Sequence, residues 1–585
     1  MNFPLPDSFK SKSILPLFSA TWLLFFTASA DAAFSLPSSN SIPWGYDRVG
    51  AQGGIVNRTT VYQTIPAGAS TSTIQNALDS CPAGQVVQLS AGNYNITARL
   101  RIQRSNITLR GAGPSTILHD AQSGGELIFI GQAGDLVNGA SVTSGATKNS
   151  TSITLSSASG LAVGQAIIVD MNDNRNLVWL SGGAFGRHIA QFTRITSISG
   201  NNVGIWPPLV WDYSSTAGSG GSPAIRTVTA GLQTVGSGIE DLAIAFDGGG
   251  SATASISMVQ CVNSWVKGVR SIRPPNRHFV VTQSLNCTFS QNWFDDIGQH
   301  AANTAGLDFY EYCSGMLVED NIFYKCNIVL DAGGKNSGNV FAYNFILDPY
   351  QQNFGQYNGL WMNHGPHNMM NLAEGNFCNG VISDGYFGSS SSCTVFRNFL
   401  HGWTPTYPTA NSIAVSLKKW SLNWNIVGNV LGRTGVKYFQ PTASGWGGDG
   451  AIYELGFPNT GNNGYSGTRP PNPAVNPGDD QSRDLNVETT VFRHANFDFY
   501  NNTVSYNSGS DTALPASMYL TAKPAWMGNL PWPLIGPDVS TTDCSTNSSL
   551  TAITNPARER FYGRTSYLGT PTSPPVGPSN LQASP

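Results

Sequence analysis

The chain is 585 residues long, only 11% of them charged, with a formal net charge of −3, 64 glycines and 11% aromatics. Charges this sparse and scattered leave no basic stripe for a nucleic acid, and no stretch reads as a helix made to lie on a membrane. Abundant Gly, Asn and aromatics instead suit many short strands joined by tight turns, whatever domain count the length alone suggests.

At the N-terminus, Lys10 and Lys12 precede an apolar run from Ile14 to Ala28 and then the mostly small residues Ser29-Ala30-Asp31-Ala32-Ala33, the order of a secretory signal peptide. The run falls short of the roughly 20 residues of a spanning helix. Cleavage is expected near Ala30 to Ala33, residues 1–33 are set aside, and the mature protein is expected to be secreted or otherwise extracytoplasmic, with no membrane attachment.

Residues 34–142 read as a cap and the first coils of a solenoid. In STIQNALDSC, Ile74, Ala77 and Leu78 fall on one helical face, and a short helix there covers the open end that stacked strands leave. VVQLSAGNYNI and LRIQRSNITLRGAG follow as short strands. Residues 143–212, including SITLSSASGLAVGQAIIVD and FTRITSISGNNVGIWPPLVW, alternate apolar and polar with turns at Gly and Asn-Asn, which predicts a small inserted antiparallel β-module. Stabilisation is its plainer role, ahead of gripping a ligand.

Residues 213–510 carry the repeat. An apolar strand, an Asn and a second apolar strand recur at Asn292, Asn321, Asn344, Asn376, Asn398, Asn429 and Asn502, in segments such as VEDNIF, FAYNFI and VFRNFL. The first five intervals are 29, 23, 32, 22 and 31 residues, as expected for a coil of about 22 residues, three strands and three turns, with loop insertions. Asn suits a recurring bend because it tolerates left-handed backbone and bonds locally, and stacked amides can bond each other. Cys261, Cys287 and Cys313 recur every 26 residues, and Cys378 and Cys393 are near enough to clip one loop. No C-x-x-C pair suggests zinc. Residues 511–570 are Pro-rich and predict an extended segment packed outside the coils. Residues 571–585 form a Pro/Ser linker that resembles the approach to a fibronectin-type III domain.

The fold class predicted is therefore all-β, a right-handed parallel β-helix with an inserted antiparallel module. The helix, AGNYNI and NITLRGAG in succession resemble the start of the pectin-lyase-like superfamily of right-handed β-helices, over roughly residues 60–510.

Counting back from the ladder, Asp308 and Asp331 stand 13 residues before their asparagines, Asn363 and His364 13 and 12, and Asp384 14. These residues are expected to share one column on neighbouring strands about 4.8 Å apart. Close carboxyls raise one another's pKa, which keeps one acid protonated near neutral pH. Separations of about 5 Å suit a retaining glycosidase and roughly 6.5–9.5 Å an inverting one. Strand-end Asp and Asn also cap turns, but Asp, Asp, His and Asp on four consecutive coils exceed what capping requires. His367 adds a second imidazole. Of the nearby aromatics, Trp361 and Phe387 are expected to fill core as readily as to meet sugar. Tyr386, Trp403 and Tyr407 are the better sugar contacts, the last two in the loop HGWTPTYPT.

The same stretch resembles the polygalacturonase family of glycoside hydrolases, whose site combines N-T-D-G, an Asp pair and G-H-G on successive coils. Here Asn303, Thr304 and Gly306 match but Ala305 stands where that family has Asp. Ala332 follows Asp331, and Asn363-His364-Gly365 replaces G-H-G. A resemblance to pectate lyases implies a different chemistry. Asp308, Glu311, Asp331 and Asp384 would hold Ca²⁺, Lys418 or Lys419 would remove the proton, and Arg397 would pair a carboxylate. RSIRPPNR, Arg270 to Arg277, is similar to the R-x-P-R-x-R signature but stands several coils earlier with different spacing.

The reading that results is an extracellular polysaccharide-cleaving enzyme, a monomer, with polysaccharide as its only partner. Asp331 and Asp384 act as acid and base, His364 orients them, and Asp308 and His367 stand behind. Hydrolysis without a cofactor leads, a Ca²⁺-dependent lyase is the alternative, and a non-catalytic carbohydrate binder or surface protein is the third class. Few basic residues in the column count mildly against a highly acidic polymer.

Overall fold

A computed structural model describes residues 34–180, 185–228, 233–301, 304–352, 355–356, 359–407, 413–439, 450–457, 483–507, 512–540 and 553–564. The leader-like segment 1–33 and the linker 571–585 lie outside the described residues.

The chain is a parallel β-helix. Three sheets of 12, 12 and 13 strands run its length, and one coil illustrates the plan: Leu317–Glu319 in the first sheet, Ile322–Tyr324 in the second, Ile328–Ala332 in the third. Coils stack in register, Leu317 on Val340 and Ile322 on Phe345. Alternation sends every second side chain inward, where Phe279, Phe289, Phe294, Phe309, Phe323 and Phe341 form one buried column. The rings of Phe294 and Phe323 stack 4.2 Å apart. Cys261, Cys287 and Cys313 line the same interior as free thiols, pushed up by burial, Cys287 to about 12. Cys378 and Cys393 are also free and buried, so they do not clip a loop. The helix Thr71–Ser80 caps the open end, with Ile74, Ala77 and Leu78 buried and Ser70 Oγ accepting from the Thr73 N–H.

The asparagines form the ladder expected, with one change of mechanism. Asn321 Nδ2 donates to Asn344 Oδ1 at 3.0 Å, Asn344 to Asn376 at 2.9 Å, and Asn376 to Asn398 at 2.8 Å. Each backbone N–H of the preceding Asn uses the same oxygen, as Asn344 N–H does on Asn376 Oδ1 at 3.0 Å. The left-handed residue is the one before each Asn: Gln291, Asp320, Tyr343, Gly375, Arg397, Gly428 and Ala495 have φ between 51° and 66°. That residue turns the chain and the Asn amide offsets the strain, since a non-glycine in this region costs roughly 1–2 kcal/mol. The last rung is Asn496, which accepts from Asn429 Nδ2 at 3.0 Å, rather than Asn502. Asn502 is exposed and precedes the terminal antiparallel strand Thr503–Ser505.

The inserted module is a closed antiparallel barrel of six strands from Leu136 to Val228, wider than the 143–212 predicted. Both terminal segments strap the outside. The N-terminal one runs against successive coils, with Asn40 O accepting from Asn425 Nδ2, Trp44 Nε1 donating to Met370 O, and Gly50 N–H to Gly315 O. The Pro-rich C-terminal one is held by Tyr519 on Glu319, the Met518 N–H on Glu374, and Arg560 on Asp320. Among the described residues, no helix is long and apolar enough to cross a membrane.

Candidate functional site

The third sheet carries the candidate site on its outer face. Its register runs Asp308, Asp331, Trp361, Ile382, Ser416, Glu454. Asp308 and Asp331 are true neighbours, but His364 and Asp384 do not continue their column, and this corrects the expectation. Trp361 and Ile382 stand 15 and 16 residues before their ladder asparagines, Asn376 and Asn398, against 13 for Asp308 and Asp331. Two coils therefore have longer turns, and a count from the asparagine overshoots the strand. His364 and Asp384 lie just past the strands Leu360–Asn363 and Val381–Ser383. The side chain of Asp331 lies outside the described residues, and so does Asn303.

The longer turns nevertheless fold back onto the column. A groove of about 420 Å³ is lined by Asp308, Glu311, Lys335, His364 and Phe387, with Arg277 from the preceding coil and His188 from the barrel. Its floor is bare backbone. A Cβ on Gly333 would stand 2.1 Å from Tyr310 O, and one on Gly365 would stand 1.8 Å from Gly333 O, so glycine lets these turns stack closely. Asn363 locks the turn, donating to Asp384 O and Gly388 O at 2.8 and 2.9 Å.

His364 Nδ1 donates to Asp384 Oδ2 at 2.8 Å, with the Asp384 side chain fully buried and the imidazole 22% exposed. The carboxylate fixes the tautomer and leaves Nε2 of the neutral ring, on the side away from Asp384, as the acceptor. Tyr386 stacks on the imidazole at 5.7 Å, and Phe387 and Trp361 approach at 4.9 and 5.1 Å. Phe387 is half exposed, whereas Trp361 is buried on the outer face against Ala305, Ile328 and Ile382. Arg277 Nε donates to Asp308 Oδ2 at 2.6 Å and Lys335 Nζ to Glu311 Oε2 at 3.0 Å. The groove thus holds two cations and two carboxylates beside an oriented imidazole.

Several expected residues stand elsewhere. His367 is buried between Ser389 and Ser391, its pKa lowered by burial to about 4. Lys418 is buried on Glu454 at 2.6 Å, and Lys419 is buried beside it, so neither serves the groove. Arg397 is buried in the strap contact, paired with Asp538 at 2.7 Å. Trp403 and Tyr407 are half-buried, and Tyr407 lines a separate hollow with His300 and Tyr350. Among the described residues, no three His, Cys, Asp or Glu side chains gather to hold a metal. The donor set named for Ca²⁺ is divided, Asp308 to Arg277, Glu311 to Lys335 and Asp384 to His364. Sequence reading missed Arg277 as a groove residue although RSIRPPNR ends on it. It also missed Lys335 and His188, for which spacing gives no signal.

No family model matches the chain, and neither does any curated protein. Among solved structures it is similar to the tailspike gp61 of Pseudomonas phage phi297, with 16% identity, 62% of this chain and 57% of that one covered, and a TM-score of 0.45. The chain thus spans under two thirds of that tailspike's length. The A-module of the mannuronan C-5 epimerase AlgE6 from Azotobacter vinelandii gives 13% identity, 66% and 89% coverage, and a TM-score of 0.35. The polygalacturonase of Erwinia carotovora ssp. carotovora gives 13%, 65% and 90%, and 0.30.

Proposed function

We propose that this chain is a polysaccharide-cleaving enzyme that acts by elimination on a uronate-containing polymer laid along the groove of the third sheet. The observation that carries the reading is His364, backed at Nδ1 by the buried Asp384, beside Arg277 and Lys335 in one groove. A proton next to a uronate carboxylate is removed only when a base is in place and the carboxylate's growing charge is met by fixed donors. His364 supplies the base, and the two cations supply N–H donors for the carboxylate. Tyr386 and Phe387 offer ring faces to the sugar. Action outside the cytoplasm belongs to the same reading and rests on the leader-like N-terminal segment.

A hydrolase is the second reading, favoured by the direct register of Asp308 on Asp331. That pairing sets the backbones about 4.8 Å apart, near the roughly 5 Å of retaining glycosidases. Full chain incubated with uronate and neutral polymers, with and without Ca²⁺, separates the readings. Elimination gives chain scission together with ultraviolet absorbance from the new double bond. New reducing ends without that absorbance overturn elimination in favour of hydrolysis, and retention without scission leaves a binder.

A further inference from the structure

The inserted barrel brings a second carboxylate-backed imidazole to the same groove. His188 Nδ1 lies 2.7 Å from Asp173 Oδ2, with the Asp173 side chain fully buried and the ring 20% exposed, which repeats the arrangement of His364 on Asp384. Asp173 is fixed further by the His188 and Gly186 N–H groups, each at 2.6 Å. Burial alone would raise its pKa, but the hydrogen bond and charge of His188 and these backbone donors hold it below the usual range. The barrel loop is keyed onto the turn that carries the first pair. Leu180 bridges Gly388, the Trp179 N–H donates to Ser389 Oγ at 2.8 Å, and Ser389 Oγ donates to Leu177 O at 2.9 Å. Structural stabilisation of the barrel does not require that this ring line the groove.

We infer that His188 is the general acid of the reaction, an inference that rests on the elimination reading above. His364 Nε2 takes the proton from C5 of the uronate, and the C–H electron pair forms the C4–C5 double bond. The C4–O bond breaks, its pair stays on the glycosidic oxygen, and His188 as imidazolium gives that oxygen its Nε2 proton. One proton leaves carbon and one reaches oxygen. No oxidant, reductant or water is consumed, and both rings reset by exchange with solvent. Two imidazoles on separate elements let one serve as base while the other serves as acid, the separation of roles that such a step needs.

The test uses the full chain, a uronate polymer that the wild type cleaves, and D₂O as solvent. With His188→Gln, cleavage falls about 100-fold or more, while deuterium still enters C5 of uncut chains because the base is intact. His364→Gln loses both. Asp173→Asn, which keeps an acceptor for the backbone N–H groups, lowers cleavage in the same sense and preserves the test if His188→Gln melts early. Unchanged cleavage in a folded His188 variant overturns the inference, and so does loss of both cleavage and exchange, which would make His188 the base. A wild type that frees reducing ends without unsaturation overturns the elimination reading itself, before any variant is compared.

Discussion

Asp384 is fully buried and reaches solvent only through His364, whose Nδ1 its Oδ2 holds at 2.8 Å. Any part it plays in proton transfer therefore passes through the imidazole. Replacing it by Asn keeps the shape but puts an amide where the ring needs an acceptor, which disfavours the working tautomer. For Asp384→Asn we expect kcat to fall by about 10²–10⁴-fold with KM little changed. Steady-state kinetics on a cleavable polymer check this, and a rise in KM at constant kcat would contradict it.

The amide ladder makes a stability prediction. Asn344→Ala removes the oxygen that receives both the backbone N–H and Nδ2 of Asn321, and the donor to Val318 O. Each buried group left without a partner costs roughly 1–3 kcal/mol, so denaturant unfolding should show a loss of several kcal/mol. Asn502→Ala, at an exposed position outside the ladder, should stay within about 0.5 kcal/mol of wild type.

Two buried carboxyls under the straps predict a pH dependence. Burial raises Glu319 and Glu374 from 4.5 to about 7. Their unfolded forms ionise first, so the folded protein holds the extra protons between those values. The stability these groups contribute is full below pH 4.5 and is lost as pH rises to about 7. Buried His278, His367 and His401, lowered by burial to about 3, 4 and 3, act in the opposite sense, and their contribution is lost as pH falls below 6.5. Difference melts isolate the first effect. The melting temperature of Glu319→Gln relative to wild type should climb from pH 4.5 to 7, and a flat difference would refute it.

Arg397 holds the C-terminal strap through Asp538, Pro515 O and Ile535 O. Arg397→Ala should speed proteolysis within residues 512–540 severalfold while leaving polymer cleavage near wild type. Loss of cleavage without faster proteolysis would instead return Arg397 to substrate binding.

The β-helix was legible because its cause is local and periodic. One Asn per coil at the same bend, apolar alternation between bends and an amphipathic cap repeat in the sequence what repeats in space. The pairing of Asp308 with Asp331 was legible for the same reason, since the turns after both strands have equal length.

The rest of the site depended on tertiary structure. Two longer turns moved His364 and Asp384 off the column, and spacing carries no sign of which turn in a coil takes an insertion. Buried partners then decided roles: Lys418 went to Glu454, Arg397 to Asp538, and Asp384 to His364. His188 and Asp173 reached the groove from a barrel more than a hundred residues upstream in the chain, carried there by the docking of Leu180 on Gly388. Periodicity fixed the solenoid, whereas the groove was set by contacts between segments that share no period.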